Sequence, residues 1–407
     1  MSTRADTTWI VERARSLGFD LCGVARAEKF PELSRGEEWL ARGYAGEMSY
    51  LTDRRRSDPQ SAMPGIRSVI VCALNYHSAH PKSIDALKAD ARRERGWISR
   101  YAWGDDYHEV LREKLRALAA ALRERFTGEF AARLYSDTGP VNERVFAKHA
   151  GLGWLGKNTL LLNAKLGSWF FLGMILTTLD LARTVRAAQL PPADLCGSCT
   201  KCIDACPTGA LVEPYVMDSR LCIAYLTIEL RGSIPENLRE RMGRHVFGCD
   251  ICQDVCPWNR RAPATSAAEF QPRRFAAGQE GMALRGSGQA SSYTPAGDEG
   301  SAGGGDADAI DGVDGERDVD GESLFLPRLE WLAGLSEEQF RRYFRGSPIK
   351  RTKWRGLIRN ACIALGNAAP QRGSAEQQRF RALLERLCAS PEAVISESAH
   401  WALSRIQ

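Results

Sequence analysis

Residues 196–206 read CGSCTKCIDAC and Pro207 follows; residues 249–256 read CDICQDVC and Pro257 follows; Cys222 lies between the two. A thiolate is a soft ligand, and iron–sulfur clusters are held by four of them. The first run has the spacing C-x2-C-x2-C-x3-C, and in the bacterial two-cluster pattern the fourth cysteine of a run ligates the other cluster. Read in that way, Cys196, Cys199, Cys202 and Cys256 hold one [4Fe–4S] cluster, and Cys206, Cys222, Cys249 and Cys252 hold the second. Phe247 and Gly248 stand where the second half would carry its first cysteine, so Cys222 is the substitute. The prolines suit a stop that needs no N–H donor. A zinc ribbon would require two pairs at ribbon spacing, which a run of this kind does not offer. Disulfides are not expected in a chain without a secretory segment.

At 407 residues the chain has room for two or three domains. Its 44% hydrophobic and 26% charged content is that of an ordinary soluble protein. A net charge of +5 permits an acidic partner such as RNA without demanding one. Of twelve cysteines, the four outside the two sets, Cys22, Cys72, Cys362 and Cys388, lie in apolar surroundings and read as small buried hydrophobes. Residues 1–8 are polar, and no apolar run is long enough to span a bilayer. A monomer in a reducing cytoplasm, with no membrane association, is the expectation.

Around the cysteines the chain alternates. Trp9, Ile10, Ala14 and Leu17 have helical spacing. Residues 39–51 read as a helix weakened by Gly43 and Gly46, and 68–74 as a buried strand. The strongest helix is 106–126, with Val110, Leu111, Leu115, Leu118, Ala119 and Leu122 on one face. Residues 130–135 and 168–179 are strand-like, with a short helix at 143–150 between them. This alternation predicts an α/β (α+β) domain over 1–185, followed by a ferredoxin-like two-cluster module over 186–265. Residues 278–322 are dominated by Gly, Ser, Asp and Ala and predict a disordered acidic insert. Helical periodicity returns over 324–407, where the last two helices look like a HEAT unit. One or two such units cannot stand alone, so they should dock on the rest.

Five stretches then point together: ISRYAWGDDYH (98–108), VNERVFAKHAGLGWLGKNTLLL (141–162), CIAYLT (222–227), CDICQDVCPWN (249–259) and SPIKRTKWRGLIRNACIALGN (347–367). The chain resembles the epoxyqueuosine reductases, cobalamin-dependent iron–sulfur enzymes of tRNA modification, over nearly its whole length apart from the insert. The resemblance implies reduction of epoxyqueuosine to queuosine at the wobble position of the tRNA anticodon loop. Two electrons and two protons are consumed and water leaves. Cobalamin, expected base-off, carries the hard chemistry. An unidentified electron donor, of flavodoxin or ferredoxin type, feeds the clusters.

The resemblance also assigns residues. Asp137 matches the family's aspartate and is the candidate acid for the departing epoxide oxygen. That role calls for burial near the corrin to raise its pKa. On the residues alone, Asp137 reads rather as a cap for the helix near Val141, or as an Asx turn with Gly139. Arg56, Ser99, Ala224 and Asp250 match cofactor-lining positions. Gly151, Gly153 and Gly156 suggest a loop whose backbone nears the corrin, with Lys157 and Asn158 reaching its amides or an RNA phosphate. A plain helix stop is the alternative there. Asp106-Tyr107-His108 begins the D-x-H-x-x-G cobalamin motif, but Leu111 replaces its glycine. His108 therefore reads as an ordinary, partly exposed histidine at a helix start.

For RNA, the basic stretch from Arg341 to Arg359 includes Lys350, Arg351, Lys353 and Arg355, with Tyr343, Phe344 and Trp354 interleaved. Cations meet phosphates and aromatics can stack on splayed bases; a solvated helix face with core aromatics is the bland alternative. Two rival functions remain at this point: a reductive-dehalogenase-like cobalamin enzyme acting on a small molecule, and a non-catalytic ferredoxin-type carrier. The cysteine sets predict about eight iron atoms per chain after anaerobic reconstitution. Iron and sulfide analysis settling near half that value would remove the second cluster.

Overall fold

The computed structural model describes residues 4–88, 93–185, 194–276, 283–284 and 321–406. Its N-terminal sheet has strands β1 (Leu21–Arg26), β2 (Ser68–Asn75), β3 (Ala132–Tyr135) and β4 (Phe170–Thr177), in the order β1-β2-β4-β3. Every neighbouring pair is antiparallel, so the domain is α+β rather than α/β. All eight residues of β2 are buried, a pattern usual in parallel sheets. Here it arises because helices cover both faces of an antiparallel sheet. An apolar run reports two-sided burial and carries no information on strand direction.

The alternation within β2 assigns the two faces. Ile70, Cys72 and Leu74 pack with helix α1 (Arg4–Ser16) and helix α2 (Tyr107–Arg125), through Ile10, Leu111, Leu115 and Leu118. Val69, Val71 and Ala73 meet helix α3 (Glu143–His149) through Val145 and Phe146. Each such fully buried aliphatic or aromatic side chain contributes about 1.5–3 kcal/mol. The helix expected over 39–51 is instead Pro31–Ala41. Gly43 and Gly46 follow with φ of +70° and +57°, which no continuing helix allows.

The cysteine module is knitted into this domain. The short strand Trp97–Ile98 pairs in parallel with His245–Phe247, directly before Cys249. At the C-terminus, α4 (Lys353–Asn367) packs on α6 (Ala393–Arg405), as does α5 (Ala375–Cys388). These helices share one core with Trp97, Trp103, Val246 and Phe247, so they dock on the rest of the chain as expected. Arg359 is fully buried and donates to the carbonyls of Leu226 (2.6 Å), Leu230 (2.9 Å) and Gly232 (2.5 Å). It thereby satisfies carbonyls at and beyond the end of the short helix Ile223–Ile228. Among the described residues no helix is long and apolar enough to cross a membrane.

Most of the predicted insert, residues 285–320, lies outside the described residues. Its edges do not match the expectation of disorder: Ala283–Leu284 and Gly321–Ser323 both pair with Arg274–Ala276 in a small antiparallel sheet. Glu322 within that sheet is buried and pairs with Arg328. Replacing residues 285–320 with a short Gly/Ser linker should change stability by about 1 kcal/mol or less, because loop-closure entropy varies slowly with length. Extending the deletion through Glu322 should cost roughly 1–2 kcal/mol more, since it removes the ladder bonds of the strand Gly321–Ser323 to Arg274–Ala276. Urea unfolding of the two deletions separates these outcomes.

Candidate active site

The eight sequence-assigned cysteines gather at two short helices that touch each other, Lys201–Asp204 and Ile251–Asp254. Tight turns precede and follow them: Cys199 N–H donates to the Cys196 carbonyl at 3.0 Å, and Cys256 N–H to the Gln253 carbonyl at 3.1 Å. A cavity of about 290 Å³ is lined by Cys196, Cys199, Cys202 and Cys256, with Lys157, Asn158 and Trp258. These are the four thiols assigned to the first cluster. Burial, then the neighbouring Cys256 and Cys196, push Cys202 up to about 11. Cys222 feels Cys206, and Cys249 feels Cys252 and Cys222, which groups the second set. Cys252 feels both sets, through Cys222 and Cys202. The thiols stand around the cavity wall rather than converging: among the described residues no three His, Cys, Asp or Glu could hold a single metal ion. Four soft donors around a space larger than one ion fit a cluster.

Asp137 lies on the loop between β3 and α3. It does not cap α3; Asn142 does, accepting from Val145 N–H. The loop is pinned by Ser136 Oγ donating to the Leu172 carbonyl (3.1 Å) and by Asp137 N–H donating to Glu143 Oε1 (2.6 Å). A Cβ at Gly139 would stand 2.5 Å from the Tyr135 ring, so the chain can turn there only with glycine. Asp137 itself has φ of +60°, a left-handed conformation that aspartate tolerates. Its carboxylate accepts from Tyr107 Oη at 2.9 Å and faces His108 Nε2 at 3.7 Å.

The Asp137 side chain is 67% exposed, yet desolvation is the largest influence on it. Both hold for a carboxylate at the floor of an open recess. Its field reaches Tyr50, Tyr101 and Arg351. Tyr50 is 45% exposed, with the Arg56 and Arg351 guanidiniums 5.9 and 5.5 Å from its ring centre. The raised pKa expected for Asp137 is not found. Burial pushes it up, but bonds from His108 and Tyr107 outweigh burial and hold it below the ordinary aspartate range.

Several other assigned residues have protein partners of their own. Asp250 is fully buried and accepts from Ser99 Oγ (2.5 Å), Arg100 N–H (2.8 Å) and Trp97 Nε1 (3.0 Å). Ser99 and Asp250 thus satisfy each other beneath the surface. Ala224 is half-buried on the helix that Cys222 begins. Lys157 Nζ donates to the Gly197 carbonyl at 2.6 Å, and Asn158 Nδ2 lies 3.5 Å from the Cys252 carbonyl. Both therefore belong to the cysteine loops, not to the Asp137 recess. The glycines before them serve a hairpin, Trp154–Leu155 against Leu161–Leu162. A Cβ at Gly153 would lie 1.9 Å from the Leu162 oxygen. The close approach is thus backbone to backbone.

The basic stretch divides in the same way. Phe344 and Arg359 are core residues, and Tyr343 and Trp354 are partly buried against that core. Lys350 Nζ is 2.7 Å from buried Asp106, and Arg351 holds Glu229 with two bonds, at 3.0 and 2.9 Å. Arg355 is 3.9 Å from Glu392, while Lys353 is exposed.

His108 is partly exposed at a helix start, as expected, but it is not ordinary: Nδ1 sits 2.7 Å from Asp106 Oδ1 and Nε2 faces Asp137. Burial pushes it down, but these two carboxylates outweigh burial and lift it to about 9. The available signal was the Asp106-Tyr107-His108 spacing, set aside for want of a glycine. His149, by contrast, stacks on Phe30 and faces Glu32.

The chain is similar to several known proteins. Residues 195–259 match a family model described as "4Fe-4S double cluster binding domain", and residues 56–138 one described as "Epoxyqueuosine reductase QueG, DUF1730". The chain is 41% identical to the epoxyqueuosine reductase of Gloeobacter violaceus, over 88% of this chain and 95% of that protein. It is 44% identical to that of Synechocystis sp., over 83% and 96%. Among solved structures, an epoxyqueuosine reductase with an epoxyqueuosine-modified tRNA-Tyr stem loop is 27% identical. It superposes with a TM-score of 0.75, covering 99% of this chain and 90% of that one. The Bacillus subtilis epoxyqueuosine reductase, with its catalytic aspartate loop swung out of the active site, gives 0.72 at 27% identity and the same coverage.

Glu143 supplies a pH-dependent test of this site. Burial, then the Asp137 anion, push its carboxyl up to about 8. The unfolded chain releases that proton near the ordinary value of 4.5, so the unfolded state is favoured progressively between about pH 4.5 and 8. Glu143→Gln keeps the acceptor for Asp137 N–H and removes the titration. Relative to this variant, the wild type should lose stability from pH 5 to pH 8 and then level off. Urea midpoints that differ by the same amount at both pH values would mean that Glu143 titrates like an exposed glutamate.

Proposed function

The chain belongs to the epoxyqueuosine reductase family, a family of oxidoreductases, and from that premise we propose that it reduces epoxyqueuosine to queuosine at the wobble position of tRNA with cobalamin and two [4Fe–4S] clusters. The observation that carries the reading is Asp137: a solvent-reached carboxylate that accepts from Tyr107 and faces His108, on a loop pinned by Ser136 and Glu143. Membership sets aside the non-catalytic carrier. A tRNA stem loop in the solved relative favours tRNA over the small molecule of a dehalogenase, and a tRNA substrate implies a cytoplasmic enzyme.

When bound, reduced cobalamin supplies a strong nucleophile or reductant toward carbon, and the clusters supply it with single electrons. The chain's own residues do the rest. Cys196, Cys199, Cys202 and Cys256 would hold one cluster, and Cys206, Cys222, Cys249 and Cys252 the other. A one-electron protein donor, flavodoxin or ferredoxin in type, is the proposed source of reducing equivalents. Tyr50, Arg56 and Arg351, which stand near Asp137, would line the cofactor's ring. Both nitrogens of His108 face carboxylates, so this imidazole is not available as a cobalt ligand, in keeping with a base-off cofactor.

Asp137 would protonate the epoxide oxygen as its carbon–oxygen bond breaks, because an unprotonated alkoxide leaves poorly. A ligand that covers the recess strips water from the carboxylate and raises its hold on the proton. For the tRNA, exposed Lys353 and Arg355 are the proposed phosphate contacts, on α4, the helix before the HEAT-like pair. A phosphate reaching Lys350 or Arg351 would have to compete with Asp106 or Glu229.

The substitution Asp137→Asn tests the acid. Asparagine tolerates the left-handed backbone equally well and still accepts from Tyr107, so folding, cofactor occupancy and tRNA binding should be kept. Single-turnover reduction by pre-reduced enzyme should slow by roughly 10² to 10⁴. A near-wild-type rate at full cofactor occupancy would rule Asp137 out.

A further inference from the structure

The start of α2 carries a row of charges that the proposed reaction does not yet use. Asp106 is buried and caps α2: its Oδ1 accepts from His108 N–H (3.2 Å) and from His108 Nδ1 (2.7 Å). Its Oδ2 takes Lys350 Nζ at 2.7 Å. On the far side of the ring, His108 Nε2 faces Asp137 Oδ2 at 3.7 Å, the same oxygen that accepts from Tyr107. The imidazole stacks on Tyr107 at 4.0 Å between ring centres, and Tyr107 stacks on Phe171 of β4 at 4.3 Å. A lysine, a carboxylate, an imidazole and a second carboxylate thus stand in line, and the last opens into the recess.

We infer that His108 supplies the proton that Asp137 passes to the departing oxygen, that Asp106 is the positioning residue that holds the imidazole in its donor state, and that Lys350 fixes the Asp106 carboxylate in place. This rests on the reading of Asp137 as the acid. Asp137 starts ionised and His108 protonated. As the epoxide carbon–oxygen bond breaks, the His108 Nε2–H bond breaks, an O–H bond forms on Asp137 Oδ2, and that proton passes on to the departing oxygen, which leaves Asp137 ionised again. The imidazole is left neutral, its Nδ1–H still donated to Asp106, and water re-protonates Nε2. No electrons move in these steps. The net transfer is from imidazolium to alkoxide, a far stronger base than neutral imidazole, so it runs downhill.

Charge placement supports the order of transfer. His108 is lifted to about 9 and so keeps its proton at neutral pH. The groups acting around it are Asp106, Asp137 and Tyr107, with Glu143, Arg144 and Lys350 acting through these carboxylates. Glu143 is no substitute donor, because its Oε1 is turned to the Asp137 backbone N–H rather than to the carboxylate.

Two measurements on the full-length chain test the inference. In NMR titrations, the His108 signal, identified by its loss in His108→Gln, should have a midpoint near 9. Asp106→Asn, which keeps the helix cap, should lower that midpoint by roughly 1–3 pH units. Lys350→Met should raise it, because a cation leaves the shared carboxylate. In single-turnover reduction, the wild-type rate should hold to about pH 9 and then fall, and Asp106→Asn should shift that fall down in parallel with its midpoint. His108→Gln should be at least roughly 10-fold slower at pH 7, with no such limb. A wild-type midpoint near that of a free histidine overturns the inference, as does a His108→Gln variant with wild-type rate and profile. If Asp137→Asn is then still strongly impaired, the acid stands and only the relay fails. If both variants react normally, the Asp137 reading fails first.

Discussion

The fully buried carboxylate of Asp250 sits one residue after Cys249 and accepts from Trp97, Ser99 and Arg100. A charge taken out of water must be paired or fully hydrogen-bonded, or the fold loses several kcal/mol. That requirement binds the second cysteine loop to the segment leading into α2. Arg100 carries the constraint further, donating to Ser78, His80 and Pro81 while lying over Trp103 and Trp169. Arg359 and Asn360 do the same from α4, closing on the carbonyls of Leu226, Thr227 and Val246. Three segments distant in sequence share one polar interior, so the cysteine loops cannot shift independently of the recess.

The recess is built on the opposite principle. Asp137 is left largely open to solvent, while Asp106, beside it in space, is buried and saturated by His108 and Lys350. Two carboxylates on either side of one imidazole are thereby made unequal. One is fixed, and the other can change its solvation when something covers it. Such asymmetry is what separates a structural carboxylate from one able to exchange a proton.

The C-terminal helices do more than carry exposed cations. They close the core around Trp97 and Phe247, and through Lys350 they reach the charge row at α2. The basic composition of 341–359 therefore has several destinations: a buried clamp at Arg359, ion pairs at Lys350 and Arg351, and exposed cations at Lys353 and Arg355.

The sequence by itself determined the cysteine sets, the family, the buried strand at 68–74, the amphipathic helix over 106–126 and the aspartate at 137. These are local signals: a ligand spacing, a periodicity, or a motif. Tertiary structure decided the rest, because periodicity records burial and not its direction. The run in β2 gave no hint that its neighbours are antiparallel. Gly153 and Lys157 read as ligand contacts, yet they meet backbone of the chain itself. Lys350 and Asp106 are separated by 244 positions, and nothing within either neighbourhood marks the other as its partner. His108 lacked a complete motif, and its role emerged only when the fold set carboxylates on both sides of its ring. Charge pairing across such distances depends on three-dimensional proximity and desolvation, which no local pattern encodes.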